Sequence, residues 1–110
     1  MIIFVDIDET ICTGGKSGNY AIAIPLYDKI EIINQKYDEG HTIIYWTARG
    51  ATTGIDWKDI TEKQLEQWGC KYHQLRLDKP YYDFLVEDKS CLIADLDYLV
   101  DTKARYTERN

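Results

Sequence analysis

The chain has 110 residues, 45% of them hydrophobic, with three Trp and nine Tyr. That is one domain able to bury a core without disulfide staples. Lysine and arginine total 13 against 19 acidic residues, a net charge of -6. The balance argues against non-specific nucleic-acid or acidic-membrane binding, which needs a basic footprint. An anionic small substrate stays open, provided a divalent cation and placed basic residues neutralise it locally.

The opening run Ile2-Ile3-Phe4-Val5 is short, apolar and partly β-branched, the pattern of a strand buried on both faces. It leads directly into Asp6, Asp8 and Thr10. Met1 to Val5 is too short for a signal peptide or membrane span. Three cysteines (Cys12, Cys70, Cys91) at wide spacings suggest neither a disulfide framework nor a zinc site. They read as small buried apolar residues, and a soluble, reduced, cytoplasmic protein is expected.

Residues 12 to 24 hold Gly14, Gly15, Ser17, Gly18 and Asn19 and read as a flexible flap; Tyr20 is the flap residue most worth testing. Pro25 suits the first turn of a helix carrying Leu26, Ile30, Ile33 and Tyr37 to about Glu39, capped by Gly40. His41 to Trp46 is a second strand, ending in Thr47-Ala48-Arg49-Gly50. Asp56 caps a second helix with Trp57, Ile60, Leu65 and Trp68 on one face, closed by Gly69. Tyr72 to Leu77 reads as a third strand broken at Asp78-Lys79-Pro80, and Asp83 to Val86 as a fourth, ended by Glu87-Asp88-Lys89. Leu92, Ile93, Leu96, Leu99 and Val100 suggest a last helix before a polar tail at about 103 to 110. His41 and His73 read as ordinary surface or satisfied histidines, and Trp46 as packing. The order β-α-β-α-β-β-α implies a single α/β domain over 1–110, a three-layer Rossmann-like fold with a mainly parallel sheet.

Ligands in such sheets bind beyond the carboxyl ends of the strands. Those ends carry Asp6, Asp8 and Thr10, then Thr47 and Arg49, then Lys79, then Glu87 and Asp88. Clustered carboxylates repel unless protonated or bridged by a cation. All-oxygen ligands point to Mg²⁺ rather than zinc. A lysine and a threonine beside that ion suit a phosphate, which one aspartate can attack while its neighbour moves protons. Arg49 reads equally as a substrate contact or as a structural partner of Asp56 or Glu87.

Asp6-Ile7-Asp8-Glu9-Thr10 resembles the first motif, Asp-x-Asp-x-Thr, of the haloacid dehalogenase-like (HAD) phosphatase superfamily. The run into Thr47, Lys79, and the run into Glu87-Asp88 resemble its second, third and fourth motifs, in order, over residues 2 to about 93. Thr47-Ala48-Arg49 and Lys79-Pro80-x-x-Asp83 resemble small capless members from capsular or surface-polysaccharide biosynthesis clusters. The resemblance implies a Mg²⁺-dependent phosphatase for a small phosphorylated substrate such as a sugar phosphate. Asp6 would be nucleophile and metal ligand. Asp8 would be the general acid/base, its carbonyl also on the metal. Thr47 and Lys79 would hold the phosphoryl group, and Asp88 would complete the metal site. Two positions depart from the family: Glu9 stands where Gly is usual, so the turn must tolerate a side chain, and Glu87 where Asp is common. There is no room for a cap, which suits bulky substrates or closure by a neighbouring subunit in a homo-oligomer. A phospho-accepting receiver-like domain and a catalytically inactive binding module are the competing classes.

Overall fold

The computed structural model describes residues 1–15 and 18–100; Ser17 and the polar tail at 103 to 110 lie outside them. Strand β1 (Ile2–Val5) lies parallel to β4 (Thr42–Trp46), and β4 lies parallel to β5 (Gln74–Arg76), giving a sheet of order β1-β4-β5. Between β1 and β4 come a two-residue hairpin pair, β2 (Cys12–Thr13) and β3 (Ile24–Pro25), and helix α1 (Tyr27–Asp38). Helix α2 (Lys58–Gln67) connects β4 to β5. The result is a small α/β domain with a parallel three-stranded sheet. No helix among the described residues is long and apolar enough to cross a membrane.

Pro25 does not open α1. It closes β3 opposite Cys12, and the helix begins two residues later. Both long helices end alike. Gly40 and Gly69 take positive φ (96° and 72°), and the next residues, His41 and Cys70, donate backward to the carbonyls of Lys36 and Leu65. Only glycine adopts that conformation without strain, so the two glycines set where the chain turns into β4 and toward β5. The cap position of α2 falls on Trp57, without a side-chain cap bond, and not on Asp56; Asp56 Oδ1, one residue earlier, accepts from the Lys58 amide at 2.9 Å.

The alternation of the strands sorts the sheet into unlike faces. Val5, Ile43 and Tyr45 pack with Ile30 and Ile33 of α1 and Leu65 of α2 in one buried cluster, joined by Leu96 and Val100. Ile2 and Phe4, on the opposite face, are 70% and 46% exposed. The expected three layers are thus two among the described residues. Lys36, 3% exposed, ties the end of α1 to the last helical residues through ion pairs with Glu39 (3.1 Å) and Asp97.

The fourth strand does not form. Asp83 to Val86 joins no strand among the described residues, and Phe84 and Val86 stand 90% and 97% exposed. An apolar run becomes a strand only where a neighbour completes its ladder, and this stretch has none among the described residues. Of the last helix, Ile93–Asp95 is a 3₁₀ turn leading into helical residues 96–100. Leu92 is exposed rather than part of the apolar face. Of the cysteines, Cys12 is buried, Cys70 intermediate and Cys91 exposed, so Cys91 is not a core residue.

Candidate functional site

A crevice of about 290 Å³ opens beyond the carboxyl ends of β1 and β4, with Asp6, Asp8, Thr47, Arg49 and Lys79 on its walls. Strand β1 delivers Asp6, and the chain then turns sharply. The amides of Thr10 and Ile11 both donate to the Ile7 carbonyl, at 3.1 and 2.9 Å. Ile7 and Ile11, fully buried, anchor the turn. Glu9 at its apex has φ 62°, the left-handed conformation in which a glycine would be unstrained. The hydroxyl of Thr13 donates to the Glu9 carboxylate at 3.2 Å and holds that side chain outward.

Asp6 and Asp8 leave this turn into different surroundings. Asp6 is 41% exposed, with the Lys79 Nζ 3.5 Å from Oδ1 and the Thr10 hydroxyl 3.5 Å from Oδ2. Burial of the carboxyl raises its pKa; the Lys79 ammonium and the Ile7 amide oppose the shift, and the neighbouring Asp8 charge adds to it. Asp8 takes a bidentate pair from Arg49: Nε to Oδ2 and Nη2 to Oδ1, each 2.9 Å. The Cys12 thiol also lies 3.5 Å from Asp8 Oδ1. Burial, with the Asp8 charge second, pushes that thiol up to about 12, so it stays protonated.

Arg49 therefore pairs with neither Asp56 nor Glu87. Its side chain is fully buried, and its remaining nitrogen, Nη1, donates to Thr61 Oγ1 (3.0 Å) and Gln64 Oε1 (2.6 Å) on α2. Its guanidinium carbon sits 4.8 Å from the centre of the Tyr20 ring, which in turn meets Trp57 edge-on at 5.0 Å. Gln64 Nε2 donates to the Tyr20 carbonyl at 2.7 Å, so α2 grips both the arginine and the flap. Gly15 makes the flap's close approach feasible: a Cβ there would lie 3.0 Å from the Tyr20 ring and 3.3 Å from Asp8 Oδ1.

Thr47 is 1% exposed, and its hydroxyl oxygen accepts the Arg49 amide at 3.2 Å. Lys79 is carried in by its own amide, which bonds the Thr47 carbonyl at 3.3 Å. Its ammonium lies 5.4 Å from the ring centres of both Trp46 and Tyr82. With Arg49 committed to Asp8, Lys79 is the cation that faces Asp6 across the crevice.

Five of the six residues expected from the sequence thus meet. Asp88 does not: it lies on the exposed stretch after Val86 and is absent from the crevice walls. No cluster of three or more His, Cys, Asp or Glu that could hold a metal occurs among the described residues. The acidic side chains on the crevice wall, Asp6 and Asp8, offer oxygen donors only, the donor type that Mg²⁺ takes. Thr61 and Gln64 were not foreseen. Their signal was spacing, because Thr61, Leu65 and Trp68 share one helical face and Thr61 is the polar member at its head.

The chain matches no protein-family model and no curated protein. Among solved structures it is similar to a Vibrio cholerae protein determined as an MCSG target. That likeness has 20% identity over 99% of this chain and 98% of the other, with a TM-score of 0.79. At that identity the likeness shows a shared fold.

Proposed function

We propose that the protein is a Mg²⁺-dependent phosphomonoesterase of the HAD-like type that acts through an aspartyl-phosphate on Asp6. The observation that carries this is the division of labour between two carboxylates two residues apart. Asp6 is half-open and faces the Lys79 ammonium at 3.5 Å, whereas Asp8 is oriented through both oxygens by a buried arginine.

Asp6 Oδ attacks phosphorus, forming an acyl phosphate as the alcohol leaves; water then cleaves that anhydride and frees phosphate. Lys79 and the Thr47 hydroxyl neutralise and hold the transferring oxygens. Asp8, whose orientation Arg49 sets, moves the proton to the leaving oxygen and from the attacking water. Asp6 and the Asp8 carbonyl would hold Mg²⁺, which would supply charge neutralisation for the phosphate; Asp88, the further ligand that the resemblance implies, stands away from the crevice of its own chain. A sugar phosphate or related metabolite of polysaccharide biosynthesis is the substrate this resemblance favours, with Tyr20, Tyr81 and Tyr82 around the mouth as apolar surface for its ring. The test is phosphate release from an aryl phosphate, then from a panel of phosphorylated sugars, polyols and nucleotides, with Mg²⁺ present. Asp6→Asn is expected to abolish release; undiminished release by that variant would sink the assignment.

A further inference from the structure

Two bare surfaces of this chain fit each other. Strand β1 is an edge of the sheet, paired only with β4 among the described strands. Its residues Ile2–Val5 include no proline and no charge, the features that usually blunt an edge. On its outer face Ile2 and Phe4 are 70% and 46% exposed. The second surface is Asp83–Val86, four residues like β1, in which Phe84 and Val86 are 90% and 97% exposed. Leu92, just beyond, is 76% exposed.

The chain cannot join them itself in the parallel sense of its sheet. Pro80, Tyr81 and Tyr82 are held with Lys79 on the crevice, at the carboxyl ends of the strands. A strand parallel to β1 must start from the other end. Reaching that end takes a crossover of roughly a dozen residues, whereas residues 77 to 82 are all that separate β5 from Asp83. A second copy escapes this constraint.

We propose that Asp83–Val86 of one copy adds as a parallel strand to the free edge of β1 in a second copy, and reciprocally, forming a strand-exchanged dimer. Alternation then sends Phe84 and Val86 to one face of the extended sheet and Leu85 to the other. Taking ~150–250 Å² for a fully exposed aromatic side chain and less for an aliphatic one, these apolar groups present roughly 600–700 Å² per chain. Two sets reach about 1,300 Å², the most apolar area that exchange can cover and of the size that stable, specific interfaces bury. Resting on the phosphatase reading, the parallel register has a further consequence. It sets Glu87 and Asp88 beyond the end of the partner copy's β1, at the acidic site that a single chain leaves short of ligands.

Light scattering at micromolar concentration is expected to give twice the 12.9 kDa chain mass. Phe84→Asp with Val86→Asp is expected to give a monomer with an unchanged circular dichroism spectrum, since both side chains are exposed within one chain. A monomeric wild type, or a dimer that survives this double substitution, overturns the exchange. Co-refolding Asp6→Asn chains with Asp88→Asn chains is expected to restore about a quarter of wild-type activity, because half the dimers are mixed and each mixed dimer rebuilds one site of two. No recovery between variants that do dimerise, each inactive alone, overturns the delivery of Asp88 in trans. A wild-type dimer without phosphatase activity supports the exchange and removes the proposed reaction, while an active monomer does the reverse.

Discussion

Replacing Asp8 with Asn takes the charge from a carboxylate whose two oxygens each accept from Arg49 at 2.9 Å. The guanidinium stays behind, fully buried, with Thr61 and Gln64 as its remaining oxygen partners. Breaking a buried ion pair costs ~3–5 kcal/mol, most of it from the charge left unpaired. The Asp8 side chain is 25% exposed and Asn keeps one acceptor oxygen, so the lower part of that range applies. A loss of about 3–4 kcal/mol is expected, a fall in Tm on the order of 12–25 °C for a domain of this size.

The same change at Asp6 has a different sign. Its pair with Lys79 spans 3.5 Å on a side chain 41% exposed, a contact worth about 0–1 kcal/mol. Against that, burial raises the Asp6 pKa, so the folded state takes up a proton more readily than the unfolded one. The stability this group contributes is present below its unfolded pKa and is lost as pH rises through the raised value. At neutral pH the neutral amide removes that loss, and Asp6→Asn is expected to leave stability unchanged or higher while abolishing turnover. Urea unfolding followed by tryptophan fluorescence measures both variants at constant m. Equal destabilisation by the two, or a loss below about 1 kcal/mol for Asp8→Asn, would refute the asymmetry.

Glu9→Gly relieves a left-handed residue (φ 62°). That conformation costs ~1–2 kcal/mol, against ~0.5–1 for the extra freedom of glycine when unfolded. A net gain of up to about 1 kcal/mol in urea unfolding is expected, and Glu9→Val, β-branched at the same φ, should lose stability instead. At alkaline pH, the Cys12 thiol is held up to about 12 and Cys70 up to about 11, both mainly by burial, from an ordinary 9.0. Folding keeps those protons on, so stability is full below pH 9 and falls above it by about 1.4 kcal/mol per pH unit for each thiol. Cys12→Ala should lessen the slope of the urea midpoint against pH by one proton; an unchanged slope between pH 9 and 10.5 would contradict the burial of that thiol.

How much of the site was legible depended on whether a residue's role is set locally or by a distant neighbour. Asp6, Thr47 and Lys79 each end an apolar or β-patterned run, and a parallel sheet brings such ends together whatever the details of packing. Arg49 sat in the right loop, but its partner could not be read. Asp8 is 41 residues away, and the choice among Asp8, Asp56 and Glu87 turns on where α2 docks. Thr61 and Gln64 were hidden for the same reason. Spacing puts Thr61 on the buried face with Leu65 and Trp68, but nothing local says that a guanidinium from another loop is what it meets there.

Asp83 to Val86 is the instructive failure. Its residues have the composition of a strand and are led out of the crevice by Pro80, yet a strand needs an edge to pair with, and the link from β5 is too short to reach one. Local chemistry alone determined the three parallel strands, the glycine-ended helices and the carboxylates at the end of β1. These depend on apolar runs, turn residues and spacings of a few residues. Tertiary structure decided the rest. It took Arg49 out of solvent and gave it to Asp8, left Asp6 half-open opposite Lys79, and kept Asp88 out of the crevice of its own chain, because burial, pairing and reach are properties of the whole fold.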